Sequence, residues 1–145
     1  MSRFQPERFA CELDDASIVD AWAANCIVDN ESFADAHGNE KLIHRQFKNH
    51  SSISKKFIPV DLSFFRQAVL TEVKANTLIK SHKHDEPMLR YVLDGSFALN
   101  GKQYSPGDWV LVPKNTDYEI HTLTGYKTLA MYGMCPCAEI CYGDR

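Results

Sequence analysis

The sequence predicts a mainly β protein, an antiparallel barrel preceded by helices, and three observations carry that expectation. The pattern changes near residue 57, from helical spacing to short extended runs. Seven such runs follow, rich in β-branched or aromatic residues. Turn chemistry separates them, with no helical stretch between. Strands spaced in this way close into a barrel or pack as a sandwich.

Before residue 57, Leu13 to Phe47 reads as helical. Asp14 or Asp15 can cap a helix in which Ile18, Val19, Trp22 and Cys26 recur at spacings of three and four. A second, short helix is expected from Asn30 to His37, with Gly38 as its stop. Residues 40–48 suit a helical turn or a strand equally, and the polar, serine-rich stretch 49–56 reads as a loop.

The expected strands are Phe64–Val73, Thr77–His84, Leu89–Leu93, Phe97–Leu99, Trp109–Val112, Tyr118–Leu123 and Thr128–Tyr132. Between them lie Lys74-Ala75-Asn76, Asp94-Gly95, Asn100-Gly101, Ser105-Pro106-Gly107-Asp108, Pro113-Lys114-Asn115 and Thr124-Gly125. Asn100-Gly101 is the clearest hairpin turn. The expected organisation is one domain: a helical N-terminal extension over 1–56, the barrel over 57–132, and a cysteine-containing tail over 133–145.

Composition narrows the function classes. With 145 residues, 44% hydrophobic and 24% charged, the chain suits a soluble globular domain with its own core. A net charge of −3 and the lack of a long basic block argue against nucleic acid and anionic membrane as partners. The opening MSRFQPERFACELDD offers no apolar stretch for a signal peptide, and nothing later is long enough to span a bilayer. A cytoplasmic location is expected, with the five cysteines mostly reduced.

Within SHKHDEPMLRYVLDG, His82 and His84 sit at i and i+2, so on a strand they project from one face. Two imidazoles held side by side make half of a metal site with positions open for substrate; two surface histidines near a loop would give the same pattern. Strand alternation puts Leu78 and Lys80 on that same face, and Arg90 and Val92 on the face of Met88. A Lys and an Arg inside a small barrel need compensation from Glu72, Glu119 or an acidic ligand. The alternative is a rim position for Lys80 and a structural ion pair for Arg90. Leu89, Tyr91 and Leu93 face the other way and need cover, from the N-terminal segment or a second subunit.

SHKHDEPMLRYVLDGSFALNG resembles the first cupin motif, and YSPGDWVLVPKNTDYEIH resembles the second. The two stretches run from Ser81 to Gly101 and from Tyr104 to His121, and with the strands flanking them the resemblance covers residues 74 to about 130, roughly the whole expected barrel. The resemblance implies a cupin-type antiparallel β-barrel, the double-stranded β-helix or jelly roll. It extends, less specifically, to small single-domain cupins that include diketone- and acetophenone-cleaving dioxygenases. It also implies a homodimer and a divalent metal, iron first, with zinc, manganese, nickel or copper as alternatives.

The ligand set departs from the cupin pattern of three histidines and one glutamate. His82 and His84 match the first two positions, but Met88 stands seven residues before Gly95 where the glutamate belongs. Tyr118 stands five residues after Pro113 where the third histidine belongs. His121 could complete a three-histidine site if a bulge turned it inward. Tyr118 as phenolate, or Glu86, could complete another. A site without metal is the third possibility.

The tail carries Cys135, Cys137 and Cys141, whose C-x-C-x3-C spacing lacks the paired C-x2-C of a standard zinc site. Packing residues and free thiols are the simpler expectation.

Two functions remain open at this stage. One is a metal-dependent enzyme, such as a dioxygenase, lyase or isomerase, acting on a small anionic substrate. It would use His82, His84 and His121 or Tyr118 as ligands, Tyr118 and Arg90 in catalysis, and Lys80, Arg90, Met88 and Tyr118 around the substrate. The other is a cupin without its metal that binds or senses a small acid.

Overall fold

The computed structural model describes residues 10–133. Its strands are β1 (Val19–Asp20), β2 (Val28–Asp29), β3 (Val60–Asp61), β4 (Gln67–Val73), β5 (Thr77–His82), β6 (Met88–Gly95), β7 (Phe97–Leu99), β8 (Lys102–Tyr104), β9 (Trp109–Val112), β10 (Tyr118–Thr122) and β11 (Tyr126–Tyr132), with one α-helix, α1 (Asn30–His37). Five strands form one sheet in the order β2-β9-β6-β11-β4, and four form a second in the order β5-β10-β7-β8. Within these two sheets every pairing is antiparallel. From β4 onward the chain crosses between the two sheets repeatedly: β4, β6, β9 and β11 lie in one, and β5, β7, β8 and β10 in the other. No described helix is long and apolar enough to cross a membrane.

The barrel interior is filled from both sheets. Met88, Val92, Val110 and Ala130 face Phe97, Leu99, Tyr118 and Ile120 across one apolar cluster. Alternation along β10 gives Tyr118, Ile120 and Thr122 to the inside and Glu119 and His121 to solvent. The turns use the residues their backbones require. Asn100 and Gly101 both have positive φ, 50° and 83°, as a two-residue hairpin of this hand demands. Gly95 has φ 71°, and a Cβ there would meet the Gly125 carbonyl at 2.0 Å, so only glycine fits.

A second core lies on the outer face of the five-stranded sheet. Leu89, Trp109 and Leu111 point away from the interior and pack under Cys11, Leu13, Ala21, Phe33, Leu42 and Val60. The N-terminal segment therefore supplies the cover that Leu89 and Tyr91 require, while Leu93 stays 46% exposed.

That segment is much less helical than its spacing predicts. The helix expected around Ile18, Trp22 and Cys26 does not form. Asp14 caps only a three-residue 3-10 turn, Asp15–Ser17. The Asp20 carboxylate then takes the Trp22 and Ala23 N–H groups, satisfying them in a turn. Val19–Asp20 pairs in parallel with Val60–Asp61 instead. Tertiary pairing overrides the periodicity here. The second helix, Asn30–His37, forms as expected, with Asp29 and Ser32 in a reciprocal capping box and the Gly38 N–H closing on Ala34.

Asp29 ties this segment to the barrel. Its buried carboxylate accepts hydrogen bonds from the Ser32 N–H at 2.8 Å and the Tyr104 hydroxyl at 2.5 Å, and pairs with Lys102 Nζ at 2.7 Å. Burial opposes its ionisation, but the hydrogen bonds from Lys102, Ser32 and Tyr104 outweigh that and hold the carboxyl below its ordinary range. The Tyr104 hydroxyl is pushed up, first by burial and then by its bond to Asp29.

Candidate functional site

One cluster of polar side chains gathers where β5, β6 and β10 meet. Tyr118 opens β10 opposite His82 at the end of β5. The His82 and Tyr118 ring centroids are 4.7 Å apart, and His82 and His84 stand edge-on at 4.9 Å. His84 lies just beyond β5, and its carbonyl accepts the Asn115 N–H at 2.7 Å, which pins this loop to the turn after β9. Both imidazoles are half-buried, whereas Tyr118 and Arg90 are 1% and 3% exposed.

The Tyr118 hydroxyl is the meeting point. Arg90 Nη2 donates to it at 3.2 Å, and His84 Nε2 lies 3.1 Å from it. The guanidinium carbon also sits 5.7 Å from the Tyr118 ring centroid. Arg90 faces inward because it alternates with Leu89 and Tyr91, which belong to the outer core. Met88, two residues earlier on the same face, is buried in the interior cluster. Glu86 is half-buried in the loop before Pro87.

A β-bulge decides which residues of β5 join them. Ile79 pairs with Ile120 and His82 with Tyr118, so three residue steps on β5 oppose two on β10. The extra residue reverses the alternation. Ile79 faces the interior upstream of the bulge and His82 faces the site downstream of it. Leu78 and Lys80 consequently point outward, both exposed, and not onto the face of the histidine pair as simple alternation predicts. The bulge also orients His82, whose Nδ1 lies 2.7 Å from the Lys80 carbonyl. A carbonyl can only accept, so Nδ1 is the donor of this bond and carries a proton.

His121 does not reach the site. It pairs with Ala98 and Leu78 on the outer face and is exposed, because β10 keeps strict alternation from Tyr118 to Thr122. The bulge that the three-histidine arrangement requires falls on the neighbouring strand. Cys135, Cys137 and Cys141 lie outside the described residues.

Two features now meet: the repeated crossing between two antiparallel sheets, and a histidine pair at the barrel mouth followed by the Asp94-Gly95 turn and the Pro106-Gly107-Asp108 turn. The chain has the cupin fold. No protein-family model matches it, and no curated protein matches it. Among solved structures it is similar to an RmlC-like cupin from Shewanella frigidimarina, at 23% identity over 50% of this chain and 69% of that one, with a TM-score of 0.46. It is similar to KdgF from Halomonas sp. at 23% identity, over 47% of this chain and 69% of that one, with a TM-score of 0.42. A third likeness is to a chain in the complex of Rhodobacter sphaeroides SigE with the anti-sigma ChrR. There the identity is 18%, over 46% of this chain and only 39% of that one, with a TM-score of 0.41. These likenesses concern the fold alone.

Among the described residues, the donors gathered at this site are not the three histidines and one glutamate of the cupin pattern. Among the described residues no three His, Cys, Asp or Glu side chains come together. The Tyr118 phenol stands beside the two imidazoles and is hydrogen-bonded to a guanidinium. A permanent cation hydrogen-bonded to the Tyr118 hydroxyl opposes a divalent ion at that oxygen. Arg90 offers a planar fork of donors, and Tyr118 and His84 stand within hydrogen-bond distance of each other beside it.

Proposed function

We propose that this cupin binds a small organic acid or enolate at the mouth of its barrel and serves as a binding or sensing module. The observation that carries the reading is the convergence of Arg90 and His84 on one Tyr118 oxygen, 3.2 and 3.1 Å away. A carboxylate held there would take hydrogen bonds from the Arg90 fork and from Tyr118. Half-buried His82 and His84 would form the entrance and contact the rest of the ligand. Lys80 lies outside, and Arg90 is the buried cation among the described residues that would face the ligand's carboxylate.

The metal-dependent enzyme, a dioxygenase in its sharpest form, is the competing function. Thermal unfolding of chelator-treated protein separates the two. Small monocarboxylates are expected to raise the melting temperature, and iron(II), zinc or manganese to leave it unchanged. A metal-dependent rise that disappears on His82→Ala/His84→Ala would overturn the binding-module reading and restore the metal enzyme.

A further inference from the structure

The outer face of the five-stranded sheet carries a second recess. A groove of about 620 Å³ runs between α1 and the segment leading into β3, over Tyr91 and Trp109. Its volume lies within the roughly 300–1,000 Å³ usual for small-molecule sites. Tyr91, Phe57 and Ile58 each keep part of their apolar surface exposed in it. Because Tyr91 alternates with Arg90 along β6, the groove and the barrel mouth lie on opposite faces of one sheet.

Its charges are arranged in a way the helix alone does not explain. Glu31 and Asp35 line the groove from α1, and Lys56 lines it from the other segment. Asp35 stands in the last turn of α1, where the helix dipole disfavours an acid, and four residues after Glu31, where like charges repel. Glu31 has Lys102 3.5 Å away, but neither Asp35 nor Lys56 has an ion-pair partner among the described residues. Among the described residues, Asp35 and Lys56 thus stand in one groove with no ion pair between them, beside an apolar floor. A locally unfavourable choice of this kind is expected where a residue serves a ligand.

We propose that this groove is a second ligand site, for a zwitterionic amino acid with an aromatic or large aliphatic side chain. The ammonium group lies toward Asp35 and Glu31, the carboxylate toward Lys56, and the side chain on Tyr91 and Phe57. The site is independent of Arg90.

Calorimetric titration with L-phenylalanine, N-acetyl-L-phenylalanine and L-phenylalaninamide tests the proposal on wild type, Asp35→Asn, Lys56→Met and Arg90→Met. Phenylalanine is expected to bind saturably to wild type and to Arg90→Met alike. Blocking the amine or replacing Asp35 should each weaken binding about fivefold, the size expected of an exposed charge contact. Acetylation should cost less in Asp35→Asn than in wild type, and amidation less in Lys56→Met than in wild type. Both substitutions are at exposed positions, and circular dichroism is expected to show an unchanged fold. Equal binding of phenylalanine and its N-acetyl form, or no saturable binding of phenylalanine, overturns the proposal. So does loss of binding in Arg90→Met.

Discussion

Arg90 Nη2 lies 3.2 Å from the Tyr118 hydroxyl, joining β6 to β10 through the barrel interior. Both side chains are almost wholly buried, so the bond is made in a medium that cannot replace it with water. Tyr118→Phe should therefore cost about 1–3 kcal/mol of folding stability, the usual range for depriving a buried group of its partner. Urea denaturation measures this. An unchanged midpoint would show that the hydroxyl is not engaged with Arg90.

Lys80 and His121 provide the contrast. Both are exposed on the outer face of the four-stranded sheet. Lys80→Ala and His121→Ala should each shift stability by less than about 0.5 kcal/mol. Both variants should bind small acids as wild type does. A Lys80→Ala variant with weakened acid binding would mean that β5 runs without its bulge.

Asp29 makes the fold sensitive to acid. Its carboxyl is held below the ordinary value of 3.8 in the folded state. A lowered value contributes stability that is present above the unfolded pKa and is lost as pH falls through the folded one. Asp29→Asn should be less stable than wild type at neutral pH, and the gap should close as pH drops below 3.8. Chemical denaturation across that range gives the curve. A gap that stays constant into acid would show that Asp29 contributes by shape and not by charge.

Gly95→Ala tests the close approach of the end of β6 to the turn before β11. A methyl group there would meet the Gly125 carbonyl at 2.0 Å while the backbone holds φ at 71°. Strain of this kind costs on the order of 1–3 kcal/mol from the backbone alone, and the clash adds to it. A variant as stable as wild type would mean that β6 and β11 are further apart than described.

Much of this architecture was legible in the residues. Asn100-Gly101 announced its hairpin through the one dipeptide that accepts two positive φ values cheaply, and Asn30–His37 announced its helix through the cap and the glycine stop. Local chemistry decides such features, and local chemistry is what a sequence displays. The first expected helix does not form, and spacing cannot reveal that Asp20 satisfies two backbone N–H groups in a turn, or that Val19 finds a partner at Val60. Strand β8 was missed because Lys102-Gln103-Tyr104 is short and polar, although Tyr104 is buried against Asp29. Arg90 was placed inward by alternation along an unbroken strand. Lys80 was misplaced because a bulge has no sequence signal of its own, and one extra residue inverts everything upstream of it.

The central claim is that Arg90 makes the barrel mouth an anion site. Thermal-shift screening of small carboxylic acids against their amides, on wild type and Arg90→Met, tests it most directly. Losing a buried charge that contacts a ligand costs about 2–5 kcal/mol of binding, which is at least tens-fold in affinity. Acids are expected to stabilise the wild type and amides not to, and Arg90→Met is expected to abolish the difference. Equal stabilisation of the wild type by acid and amide would contradict it and reduce Arg90 to a structural partner of Tyr118.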